Sequence, residues 1–376
     1  MNILIIRSGP YQVDIDSYNL QELGLAAAFI KKGNNCDVMY YHKKKDSNQI
    51  VYKNGCKIEV LWRKGIRLLR SGIYPQVLKK DFLANYDAVI VSEYSQIMSH
   101  LVAQRHSNVY LYNGPYYNLF KLPFIEPIYD TIFCKKINSE MKTVYCKTQM
   151  AAEYIGKKGI TNTVVVGVGL DTSKFDTERE ILPETQNLLK KMEGKRTLLY
   201  VGSIIPRKNI DFLIKAFIEL KKKDSYKDVQ LVLVGRGDER YISKCKSLIS
   251  DEIKNEVVWC KIIKNAQLKF VYQKAYAFLL PSIQEIFGMV LLEAMYFGLP
   301  VISSHSAGAG TLIQNGINGL IVEQFEVNEW KFAIESILDD YGYASELGEV
   351  ATETIKRDYM WDSIAKKMMI YMRNCK

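Results

Sequence analysis

The chain has 376 residues, 48% of them hydrophobic and 24% charged, with a formal net charge of +10. That length predicts two domains, and its apolar runs, all far short of the roughly 20 residues that cross a bilayer, argue against a spanning helix. Seven scattered cysteines with no C-x-x-C pair, beside four histidines, suggest neither a disulfide framework nor a metal site and fit a reducing cytosol.

The first residues lack a signal peptide's basic start and cleavage site and read as a strand over 2–6. The loop that follows, Ser8-Gly9-Pro10-Tyr11, lies at a strand's carboxyl end. A helix over 18–32 ending at Gly33 and a strand over 37–41 come next. From Tyr41 to Lys80 the chain then carries eleven Lys and Arg against two acids, nearly the whole positive surplus. Taken as a helix, 61–70 places Trp62, Ile66 and Leu69 on one face and Arg63, Lys64, Arg67 and Arg70 on another. Such a segment suits an anionic membrane surface; a solvated helix covering the sheet is the alternative. No nucleic-acid recognition motif accompanies the charge, so a nucleic-acid partner is not expected.

Further strands are predicted over 86–91, 109–112 and 143–146, with helices over 96–105 and 127–141 and one capped by Thr148 and running to Ile155. Strands alternating with helices predict a mainly parallel, doubly wound sheet. A short strand over 163–166 leads to a turn-rich segment and a polar stretch over 176–195.

The second half opens with a strand over 197–201, the loop Gly202-Ser203-Ile204-Ile205-Pro206-Arg207-Lys208-Asn209 and a helix over 210–222. A glycine turn feeding a helix start, with Arg and Lys beside it, suits phosphate. Strands over 230–235 and 257–260 follow, the first ending Gly235-Arg236-Gly237-Asp238. Then an apolar strand over 275–280 runs through Pro281-Ser282-Ile283-Gln284-Glu285-Ile286-Phe287 into a helix over 288–297, stopped by Gly298 and Pro300. That helix is apolar on every side and should be buried. Glu293 inside it then needs a partner, while Glu285 stands just before its start. The plainer reading is a core helix with Glu293 paired to a lysine. A strand over 300–304, the segments 306–311 and 315–322 and helices over 329–338 and 361–372 complete the chain.

Glu285 and Glu293, seven residues between them and Phe287-Gly288 inside, resemble the E-x7-E element of retaining glycosyltransferases with two Rossmann domains, especially family 4. The likeness is strong over 197–322 and faint before it. Lys208 matches the lysine of the family's G-R-…-K-G loop, Ser203 replaces its arginine, and Arg207 is the nearby compensating charge. Gly235 and Gly237 resemble its V-G-x-G, and Gly169, Asp171 and Phe175 its interdomain G-V-D…F element. Thr311 stands in place of the glutamate of G-G-x-x-E, so no role is carried onto it.

The resemblance implies the GT-B architecture: an α/β chain of two doubly wound Rossmann-like domains facing across a cleft. Residues 1–170 would bind acceptor, 171–196 link, 197–355 bind nucleotide sugar and 356–376 form a helix returning to the first domain. It implies a retaining, metal-independent hexosyltransferase needing no cofactor. The donor would be a nucleotide-diphosphate sugar, UDP-linked first, and the acceptor a glycan or lipid-linked molecule of surface polysaccharide or glycoconjugate synthesis. Such an enzyme would work in the cytoplasm, at the inner face of the membrane if residues 41–80 bind there.

By the same resemblance Lys208, with Arg207 and Gly202 in its loop, holds the departing diphosphate, Glu293 accepts from ribose hydroxyls and Glu285 faces the sugar. The backbone around Phe287, Gly288, Met289 and Val290 contacts the donor. Asn113 stands at or near a histidine that many relatives place beside the sugar, and Gly9 borders the acceptor. Two other readings stay open: a nucleotide-sugar epimerase, and a non-catalytic nucleotide-sugar-binding or partner subunit.

Overall fold

A computed structural model of the chain describes residues 1–15 and 20–373, which form two compact units: Met1–Asp171 with Tyr359–Lys376, and Thr172–Asp358. In the first unit the strands are β1 (Asn2–Ile6), β2 (Asn35–His42), β3 (Ser47–Lys53), β4 (Cys56–Lys64), β5 (Ile66–Leu68), β6 (Ser71–Ile73), β7 (Ala88–Ser92), β8 (Val109–Asn113), β9 (Thr143–Cys146) and β10 (Thr163–Val165). Eight of them form one sheet in the order β10-β9-β8-β7-β1-β2-β4-β3, and β5 pairs with β6. Every neighbour in the large sheet is parallel except β3 on β4. Central strands covered on both faces must be apolar throughout, and Ile3 to Ile6 are buried accordingly.

The basic stretch departs from the expected helix. Residues 56–64 are strand β4, with Cys56, Ile58, Val60 and Trp62 buried at every second position. Asn54 and Gly55, both at positive φ (51° and 77°), turn β3 back onto it. Asn-Gly between alternating apolar residues is a strong hairpin signal, and here it prevails over the helical spacing of Trp62, Ile66 and Leu69. The three arginines of this stretch are held: Arg63 donates to the Ser47 carbonyl at 3.2 Å, Arg67 to Pro10 at 2.7 Å and Arg70 to Leu119 at 2.8 Å.

The first helix is described as Gln21–Lys31; Tyr18 and Asn19, where it was expected to begin, lie outside the described residues. Thr148 caps the helix Gln149–Gly156, its hydroxyl accepting from the Ala151 amide at 3.1 Å. The helix Trp361–Arg373 packs on Gln21–Lys31. Trp361 enters a socket between two glycines, since a Cβ at Gly24 or Gly169 would lie 2.3 Å from its ring. Tyr145 fastens the helix further on, donating to the Met368 carbonyl at 2.8 Å.

The second unit carries β11 (Arg196–Val201), β12 (Val229–Val234), β13 (Val257–Cys260), β14 (Ala277–Leu280), β15 (Val301–Ser304) and β16 (Leu320–Val322). They form a wholly parallel sheet in the order β13-β12-β11-β14-β15-β16. The polar segment after Asp171 holds the helices Ser173–Thr177 and Pro183–Met192 of this unit. No described helix is long and apolar enough to cross a membrane.

Candidate donor site

In the second unit, sheet order reverses at β11, which has β12 on one side and β14 on the other. Loops leaving the carboxyl ends of two such strands diverge over opposite faces and leave a crevice, the usual ligand position in open α/β sheets. The loop after β11 is 202–209 and the loop after β14 is 281–288.

The first loop lies backbone to backbone against the end of β12. Ile204 donates to the Arg236 carbonyl at 2.8 Å, and Asp238 donates back to Ile204 at 3.0 Å. Only glycine permits this approach. A Cβ at Gly235 would stand 1.8 Å from the Gly202 carbonyl oxygen, and one at Gly237 1.7 Å from that of Ile204. The chain then makes a short turn, Pro206–Lys208, into the helix Ile210–Lys221. Tyr200 stays a neutral donor to the Ser203 carbonyl at 2.9 Å, because burial, then the Glu285 charge, push its pKa up.

The two loops meet at their charged residues. The Ile283 amide donates to the Arg207 carbonyl at 3.0 Å, and Arg207 Nη1 donates to the Gln284 carbonyl at 2.6 Å. Lys208 Nζ bonds Glu285 Oε2, with Arg207 Nη1 3.9 Å from the same oxygen. Lys208 is 7% exposed. Two cations thus share one carboxylate, leaving one positive charge beside a helix start.

That helix, Met289–Tyr296, starts from Gly288 at φ +76°. Leu291 and Leu292 donate to the Gly288 carbonyl at 2.9 and 3.2 Å, so the Met289 and Val290 amides precede the first intrahelical acceptor. Phe287 is buried beneath this start, where a Cβ at Gly308 would come 1.8 Å from the Phe287 carbonyl oxygen. Glu293 is 1% exposed, and its Oε2 accepts from Tyr272 Oη at 2.9 Å. Tyr272 is thus one partner of this buried carboxylate.

The structure therefore brings Gly202, Arg207, Lys208, Glu285, Phe287, Gly288, Met289, Val290 and Glu293 together in the second unit. Gly9 and Asn113 belong to the first. Gly9 follows β1 and lines a cavity there. Asn113 ends β8 completely buried, its Oδ1 accepting from the Tyr94 amide at 3.3 Å and its Nδ2 donating to Pro115 at 3.2 Å. Both ends of the amide thus brace backbone, and a sugar would have to displace one of these bonds to reach it. The sequence reading also passed over Ser303 and Ser304, whose hydroxyls donate to the Leu280 and Ser282 carbonyls at 3.2 and 2.6 Å and hold the second loop. Their signal is two hydroxyls closing the apolar strand β15. Among the described residues no group of His, Cys, Asp and Glu side chains is arranged to hold a metal ion.

This pair of sheets is the fold of known glycosyltransferases. The chain aligns with the crystal structure of Alr3699/HepE from Anabaena, solved with UDP, at a TM-score of 0.73 and 16% identity, over 100% of both chains. Residues 183–354 match the model of the family described as glycosyl transferases group 1. Among curated relatives, an uncharacterized glycosyltransferase of Methanocaldococcus jannaschii is 30% identical over 177 residues, 46% of this chain and 44% of that one. The O-antigen chain mannosyltransferase RfbU of Salmonella typhimurium is 30% identical over 217 residues, 57% of this chain and 56% of that one. The chain spans about half the length of the curated relatives it matches.

Proposed function

We propose that the protein is a retaining, metal-independent glycosyltransferase that moves a sugar from a UDP-sugar to a glycan or lipid-linked acceptor in surface polysaccharide or glycoconjugate synthesis. The observation that carries this reading is the contact of Lys208 with Glu285, made where two loops meet at the switch point of a sheet. A diphosphate entering the crevice draws Lys208 off Glu285 and onto its own oxygens. Lys208 and Arg207, with the Met289 and Val290 amides, then offset the charge that grows on the leaving group. Glu285, released, accepts from a hydroxyl of the donor sugar, and Glu293, steadied by Tyr272, takes the ribose. The acceptor proton passes to a leaving-group oxygen, so the reaction requires no protein nucleophile.

The hairpin of β5 and β6 supports an anionic membrane surface as a further partner, because Ile66, Leu68 and Leu69 are exposed beside Lys64 and Arg67. The test of the donor reading is thermal unfolding with UDP, GDP, ADP and CDP, on wild type and Glu293→Ala. A ligand at about 100 times its dissociation constant stabilises by about 2.7 kcal/mol. A shift with UDP that the variant loses supports the reading; no shift with any nucleotide ends it.

A further inference from the structure

A cavity of about 430 Å³ lies wholly inside the first unit. It opens where that sheet reverses, at the carboxyl ends of β1, β7 and β8, with β1 set between β7 and β2. Its walls hold three cations, Arg7, Arg70 and Lys147, against two carboxylates, Glu22 and Glu93.

Each arginine has its own acid. Arg7 Nη1 stands 3.2 Å from Glu22 Oε2, and Arg70 Nη2 stands 3.3 Å from Glu93 Oε2. Lys147 differs, for its Nζ donates at 2.8 Å to the neutral amide of Gln21 and lies 4.8 Å from the centre of the Tyr112 ring. Burial pushes its pKa down, against the pull of Glu22 and Glu93. Positive charge held at such a cost beside open space marks a place prepared for a negative one. Glu93 adds to the argument, since it occupies φ +57°, a conformation that side chains other than glycine rarely adopt. Strain of this kind gathers where a site imposes it.

We infer that this pocket recognises an oxyanion on the acceptor, a phosphate ester or a carboxylate, with Lys147 as its charge partner and the Arg7–Glu22 and Arg70–Glu93 pairs gripping hydroxyls around it. The word acceptor rests on the proposed transferase activity; the oxyanion site does not. Pairs of fixed donors and acceptors suit a polyol, while the unmatched ammonium selects a charged one.

The test uses three probes of one ring size on the full chain: glucose, glucuronate and glucose 6-phosphate, at matched ionic strength, read by thermal unfolding. Glucuronate or glucose 6-phosphate should raise the midpoint and glucose should not, and the one that acts names the group. Lys147→Gln should abolish that rise, and Lys147→Arg, which keeps the charge, should retain most of it. Equal shifts with glucose, a rise that survives Lys147→Gln, or no rise with either anion overturns the inference. UDP is run in parallel. If UDP stabilises while the anions do not, the pocket assignment alone has failed; if the anions act and UDP does not, the transferase reading has failed.

Discussion

Lys208 and Glu285 stand 77 residues apart in the chain and form a hydrogen-bonded ion pair at the meeting of two loops. In the proposed reaction Glu285 holds Lys208's charge until a diphosphate replaces it. Glu285→Gln removes the competitor and raises local positive charge, so UDP should bind more tightly, by about 1 kcal/mol or roughly fivefold. Transfer should nonetheless slow by at least about tenfold, for the sugar loses a hydrogen-bond acceptor. Calorimetry and initial rates measure both, and weaker UDP binding would rule out the exchange.

Gly308 tests how closely the site is built. An added methyl meets a backbone oxygen, which has no side-chain rotation available to escape it. Gly308→Ala should displace the Phe287 carbonyl and the helix start beyond it, costing about 1–3 kcal/mol of stability. UDP affinity should fall as well; an unchanged affinity would mean that the 287–290 backbone does not touch the donor.

Asp211 in the helix after the Lys208 loop gives a prediction in pH. Its Oδ1 accepts from Tyr241 Oη and its Oδ2 meets Lys244 Nζ, both at 2.6 Å. Burial by itself raises the carboxyl's pKa, but the bonds from Lys244 and Tyr241 outweigh it and hold the value below the ordinary 3.8. A folded value below the unfolded one means stability present above about 4 and lost as pH falls through the folded pKa. Asp211→Asn should therefore be less stable than wild type at pH 7, with the gap narrowing below pH 4. Urea midpoints at the two ends check this, and a gap that stays constant would refute it.

Trp361 should matter to the first unit alone. Trp361→Ala empties a socket shaped by Gly24 and Gly169 and should cost roughly 3–5 kcal/mol. Hydrogen exchange should quicken in β1 and β2 while β11 and β12 keep their protection. Equal loosening of both sheets would contradict the division into units.

What the sequence disclosed follows from how local each signal is. The loops bearing Lys208 and Glu285 were legible because a polar, glycine-bearing turn after an apolar strand must lie at a sheet's edge, whichever strand it follows. The hairpin of β3 and β4 was equally local, written in Asn54-Gly55 and the alternation of Cys56, Ile58, Val60 and Trp62. It was obscured because the basic residues crowding the same stretch also fit a helical face. Asn113 was placed at the end of its strand, but nothing nearby in the chain tells of Tyr94, 19 residues earlier, closing over its amide. Lys147 gave no signal, since Cys146 and Thr148 beside it say nothing of Arg7 and Arg70, which the topology alone delivers to its side.

The socket around Trp361 also sets an order of assembly. Residues 172–358 are continuous in the chain, so a ribosome releases the whole of the second unit's sheet before it has made Trp361. The first unit, begun at Met1, must wait through that synthesis with Gly24 and Gly169 facing nothing. The half of the protein that is started first is therefore the half completed last, and through that interval its exposed groove is the surface a chaperone would meet.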